Sequence, residues 1–172
     1  MKNYEQIEHT GDIGIRVFGE SLTQLHENAA AAFFDLITPI ELIHPKIERA
    51  IEVSAGDREE LLVNWLSELN FVFQTEYLLF CEFRISELSE TSLKAVVRGE
   101  ALNLRQHHIK NEIKAVTFHG LKIERLEADN WFGNASIIGS FHDLQCPRDS
   151  QTGVWEPVTE GLHWFAQIIF DI

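Results

Sequence analysis

Apolar and polar positions alternate from Ile13 to Val17, where Gly14 and Arg16 separate Ile13, Ile15 and Val17. A period of two predicts a half-buried strand, and Gly19 ends it. The period then changes. Leu22, Leu25, Ala29, Phe33 and Leu36 recur at helical spacing behind Ser21 and Gln24, a capping-box pair, and Pro39 lies past the expected helix end. Ile47 to Val53 reads as extended. Asp57 and Glu60 repeat the capping box ahead of Leu61, Leu62, Trp65, Leu66, Leu69 and Val72, whose spacing buries one stripe of a second helix.

Four further segments, Leu78 to Ile85, Leu93 to Arg98, Ile113 to Phe118 and Leu121 to Glu124, are short and rich in β-branched or aromatic residues, and read as strands. Between Leu126 and Trp164, glycines and prolines interrupt every periodicity, so this stretch reads as an insertion at about 126–164 with one short strand near Ile137 and Ile138. Alternation returns in Phe165 to Ile172, with Ala166, Ile168 and Phe170 on one face and Gln167, Ile169 and Asp171 on the other. A strand therefore closes the chain. Two helices among about seven strands, several following one another directly, predict a single α+β layered domain over residues 1–172.

The 172 residues suit one hydrophobic core, and 45% hydrophobic content with twelve Phe and four Trp excludes a disordered chain. Charge narrows the partners. Lys and Arg number 14 against 27 Asp and Glu, a formal charge of -13, and such a surface repels phosphate backbones, so autonomous nucleic-acid binding is not expected. A basic protein or a divalent cation suits it better. Cys81 and Cys146 form no C-x-x-C pair, no secretory leader is visible, and no apolar run would cross a bilayer. The expected compartment is the cytoplasm.

Phosphate-binding glycine loops, G-x-S-x-G and H-E-x-x-H are all missing from the sequence. What stands out is Glu8-His9-Thr10-Gly11-Asp12, where glycine permits a turn between His9 and Asp12. Two readings are open there: the polar side chains satisfy turn amides, or they present His9 and Asp12 at one sheet edge. Asp171 is either a solvent-facing strand residue or, with the carboxylate of Ile172 beside it, half of an anionic pair. If Asp12 met Asp171 in space, these oxygens would suit a hard divalent cation such as Ca²⁺, Mg²⁺ or Mn²⁺. Lys114 and His119 sit near the two ends of one expected strand, on opposite faces if it is regular. Glu68 flanks Trp65 and Leu69 on the second helix, where partial cover is one reading and a solvated helix charge the favoured one, and His107-His108 reads as a polar loop. His142, Asp143, Cys146 and His163 carry zinc-compatible atoms at irregular spacing, which argues against a zinc site.

Taken in order, Glu8-His9-Thr10-Gly11-Asp12-Ile13-Gly14-Ile15, the helix around Glu27 to Asp35, Asp57 to Leu69, Arg98-Gly99-Glu100, Ile113 to His119, Leu121-Lys122-Ile123 and Ile169-Phe170-Asp171-Ile172 resemble the archease family. The resemblance spans the chain apart from the insertion. It implies a small α+β accessory protein, not itself an enzyme, that activates an RtcB-type RNA ligase in tRNA splicing and RNA repair by promoting ligase guanylation and multiple turnover. It further implies a divalent-metal site, Ca²⁺ in the family type, at Asp12, Asp171 and Ile172, with Lys114, His9 and His119 as further functional candidates. Two other functions stay open: a metal-dependent phosphohydrolase using Asp12 and Asp171, and a chaperone for a tRNA-modifying methyltransferase. Gly11 stands where the family typically carries Ala, and the insertion is the larger departure.

Overall fold

A computed structural model describes residues 3–9, 11–125 and 164–172, with residues 8 and 9 described by their backbone alone. Its elements run β1 (Tyr4–His9), β2 (Asp12–Gly19), α1 (Leu22–Ile37), β3 (Ile47–Ser54), α2 (Arg58–Glu76), β4 (Leu78–Leu88), β5 (Ser92–Ala101), β6 (Ala115–Arg125) and β7 (Trp164–Asp171). One sheet has the order β1-β2-β7-β6 and the other β3-β5-β4. Every pairing is antiparallel. The architecture is α+β, as the order of periodicities predicts.

Both helices begin where the capping pairs place them. Ser21 accepts the Gln24 N–H at 3.1 Å, and Asp57 accepts that of Glu60 at 2.8 Å; each bond satisfies an orphan donor of the first turn. Glu60 also closes back on the Gly56 N–H at 2.5 Å. Each helix packs against strands of both sheets. Phe33 and Phe34 divide this task on α1. The Phe33 ring lies 5.6 Å from Phe170 of β7, whereas Phe34 meets Phe80 of β4 edge-on, also at 5.6 Å. Trp65 of α2 is fully buried, and its indole donates to the His26 carbonyl at 3.1 Å, so the largest core side chain carries no orphan donor.

Two features differ from the sequence reading. β1 was not expected, because Tyr4-Glu5-Gln6-Ile7-Glu8-His9 has only two apolar residues and they are not spaced by two. Its register against β2 is nevertheless fixed by packing. Ile7 lies opposite Gly14 and fills the space a side chain would need there, since a Cβ on Gly14 would fall 2.5 Å from the Ile7 side chain. The expected strands at Ile113 to Phe118 and Leu121 to Glu124 are also one strand, β6. Thr117 pairs with Ile169 and the next pair is Lys122 with Gln167, so β6 carries a bulge across Phe118 to Leu121. Gly120, at φ 64°, permits it. The strand expected near Ile137 and Ile138, and the zinc-compatible His142, Asp143, Cys146 and His163, lie outside the described residues. Among the described residues no helix is long and apolar enough to cross a membrane.

Candidate functional site

The β1–β2 hairpin turns at Gly11, whose φ of 81° lies in the region that favours glycine. The turn sets His9 opposite Asp12 at the end of the sheet. β7 runs beside β2 with Asp171 opposite Asp12, and β6 runs beside β7 with Ala115 opposite Asp171. One row thus crosses four strands: His9, Asp12, Asp171, Ala115. Residues directly opposite in an antiparallel pair project from the same face, so the two aspartates share a side of the sheet. Asp12 is half-buried and Asp171 exposed. The two extremities of the described chain, remote in sequence, thus meet at one end of the sheet.

Lys114 completes the group from the segment that leads into β6. Its N–H donates to the Asp171 carbonyl at 2.8 Å and its ammonium to the Ile172 main-chain oxygen at 2.9 Å. That segment is held from several directions. The Lys110 N–H donates to Ile37 O at 2.7 Å, Asn111 to Leu36 O at 2.7 Å, and Gln74 of α2 to Ile113 O at 2.9 Å. The Ile113 side chain is buried in the core, so Lys114 projects from an anchored stem. It lies just before the strand, not within it, and the bulge beyond Thr117 breaks the alternation that would have set Lys114 and His119 on opposite faces. His119 is exposed on that bulge, outside the Asp12–Asp171 row. Glu68 is half-buried on α2.

Among the described residues no three His, Cys, Asp or Glu side chains come together in a metal-ligating group. A cation bound here would therefore draw on the two aspartates and the Ile172 oxygen. This is a hard, all-oxygen set suited to Ca²⁺, Mg²⁺ or Mn²⁺. Of these atoms, the Ile172 oxygen already accepts from a cation, the ammonium of Lys114, so that one position tolerates a positive neighbour.

A second polar cluster was not foreseen as chemistry. Glu100 of β5 is buried, and its Oε1 accepts from the His44 N–H at 2.8 Å, His44 Nδ1 at 2.9 Å, Gln106 at 3.1 Å and His107 Nε2 at 3.3 Å. Its Oε2 accepts from Lys46 at 2.5 Å. Burial pushes the carboxyl pKa up. The Lys46 ammonium and the two His44 donors outweigh it and hold the value down at about 2. His107 Nδ1 accepts the Asn103 N–H at 3.0 Å, which leaves the ring proton on Nε2, facing Glu100. The polar-loop reading of His107-His108 is corrected accordingly: His107 is buried and fixes the loop, and only His108 is exposed. No local spacing unites residues 44, 46, 100, 106 and 107. The sole trace was Glu100 within Arg98-Gly99-Glu100.

Residues 4–138 match the model of the archease protein family (MTH1598/TM1083). The chain is 42% identical over 134 residues to the protein archease of Pyrococcus abyssi, covering 76% of this chain and 94% of that one. It is 38% identical to that of Methanosarcina mazei, again covering 76% of this chain, and 91% of the relative. The solution structure of Methanobacterium thermoautotrophicum protein 1598 superposes with a TM-score of 0.66 at 29% identity, covering 100% of both chains. The crystal structure of an archease from Thermotoga maritima, described as a possible chaperone, gives 0.53 at 19% identity over 98% of this chain and 96% of that one; at that identity the likeness concerns the fold alone. By family model and curated relatives alike, the chain belongs to the archease family.

Proposed function

We propose that this protein is a non-catalytic activator of an RtcB-type RNA ligase, and that it works by presenting a divalent cation held by Asp12, Asp171 and the Ile172 oxygen. One observation carries the reading: two aspartates from opposite extremities of the described chain stand in register on neighbouring strands, beside the Ile172 oxygen. The formal charge of -13 supports a protein partner over an RNA one. A bound cation would screen nucleotide phosphates during guanylyl transfer at the ligase.

The chain's own residues have separate tasks. Asp12 and Asp171 supply charge from paired strands, so the pairing fixes their spacing. Lys114 ties the end of β7 to the β6 stem through its backbone N–H, which donates to the Asp171 carbonyl. Gly11 sets the turn that brings His9 beside Asp12.

The test is guanylation of the cognate ligase with wild-type, Asp12→Ala and Asp171→Ala protein. A cation-presenting activator loses most of its stimulation in both variants, whereas a chaperone that works by surface contact keeps it. Nucleoside triphosphate hydrolysis by the isolated protein with Mg²⁺ or Mn²⁺, abolished in Asp12→Ala, would instead establish the phosphohydrolase reading.

A further inference from the structure

The lysine of this site is placed where a cation would go. Its ammonium donates to the Ile172 oxygen, and its own N–H holds the neighbouring Asp171 carbonyl. The stem behind it is fixed by Ile113 in the core and by Gln74 and Asn70, which both donate to the Ile113 carbonyl, at 2.9 and 3.2 Å. The backbone of Lys114 is therefore rigid while its amine is exposed. A side chain of that kind can occupy an anionic site and leave it by rotation, without moving a strand.

We infer that Lys114 is an internal competitor for the divalent cation: its ammonium occupies the Ile172 oxygen in the cation-free protein and is displaced when the cation binds. This rests on the cation reading above and adds to it a means of setting affinity. A divalent ion entering beside the ammonium meets both the loss of one oxygen ligand and like-charge repulsion. At contact distances in water-exposed surroundings that repulsion alone weakens binding by about tenfold. Lys114 would thus keep the site free of cation until its concentration is high or a partner draws the ammonium away. The lysine's role is positioning and competition; it supplies no ligand atom.

The experiment is calorimetric titration of the full chain with Ca²⁺, Mg²⁺ and Mn²⁺, using wild type, Lys114→Met and Lys114→Arg. Circular dichroism of each variant confirms folding, which substitution at an exposed position should preserve. The expected result is binding about tenfold or more tighter in Lys114→Met, with Lys114→Arg close to wild type because the competing charge is restored. Binding visible only in Lys114→Met supports the inference equally. If wild type binds a cation and Lys114→Met binds it no better, the inference is overturned and the cation reading survives. If no protein binds any of the three ions, the cation reading falls and the inference with it.

Discussion

Replacing Glu100 with Gln removes the one negative charge that Lys46, His44, Gln106 and His107 surround. The structure gives the size of the effect. The carboxyl pKa is held at about 2 against an ordinary 4.5, and a difference of that size corresponds to about 3 kcal/mol of linkage. Lys46 and His44 are themselves 62% and 59% exposed, so solvent screening reduces the usable part to about 2 kcal/mol. Because the folded pKa lies below the unfolded one, this contribution is complete above pH 4.5 and is lost as pH falls toward 2. With a urea dependence of about 2 kcal/mol per molar, Glu100→Gln should unfold about 1 M earlier than wild type at pH 7. The gap should shrink by about half at pH 3, where wild type has lost much of the same contribution. Urea titrations of both proteins at pH 7, 5 and 3 read this directly, and comparing the two cancels the titrating groups that do not contact Glu100. Equal midpoints at pH 7, or a gap unchanged down to pH 3, would refute the reasoning.

Three further outcomes are expected. Gly11→Ala forces a side chain into φ 81° with, among the described residues, no atom within 4 Å to compensate or clash, so thermal unfolding should show a loss of about 1 kcal/mol from backbone strain. Phe170→Ala opens a cavity beside Phe33 on the strand that carries Asp171, and denaturant unfolding should report a loss of about 3–5 kcal/mol. Burial lowers the pKa of His26, an effect opposed by its bond to Leu22 O and reinforced by Arg58, so acid must charge a site that resists it. Wild-type stability should be complete above pH 6.5 and decline as pH falls below it, while His26→Phe should flatten that slope between pH 6.5 and 5.

The sequence was most legible where one face of an element is buried and its period is clean. Both helices, β2 and β7 carry such patterns, and Ser21 and Asp57 announce the helix starts through side-chain bonds that span three residues. β1 was hidden because its stability comes from pairing: Glu5 meets Arg16 across the hairpin at 3.2 Å, and Ile7 fills the space above Gly14. Neither contact leaves a period in Tyr4 to His9. β6 read as two strands because its bulge puts His119 and Gly120 where a regular strand would continue. For the site, residue types and their places along the chain were visible, but the pairing of β2 with β7 was not, since antiparallel register between distant strands is set by the whole core. The Glu100 cluster was hidden for the same reason.

Register also explains why the site depends on the core more than on local surface chemistry. β2 and β7 are the two inner strands of their sheet, and a one-residue slip of either would send Asp12 or Asp171 to the opposite face. Such a slip would also carry Ile15, Ile168 and Phe170, all fully buried, out of the core, so several kcal/mol of apolar burial guards the meeting of two exposed or half-exposed carboxylates. On the third side, the Glu100 cluster fixes Gln106 and His107, Ile37 O receives the Lys110 N–H, and the segment arrives at Lys114 with little freedom left. Substitutions far from the aspartates should therefore divide by route. Those in the Phe33–Phe170 contact should weaken global stability and the aspartate pair together. Those at Glu100 should loosen the stem behind Lys114 while leaving the β2–β7 register intact, and amide hydrogen exchange in residues 102–114 against that in β7 distinguishes the two. Equal acceleration in both segments for Glu100→Gln would mean that the loop and the sheet open as one unit, and the division proposed here would not hold.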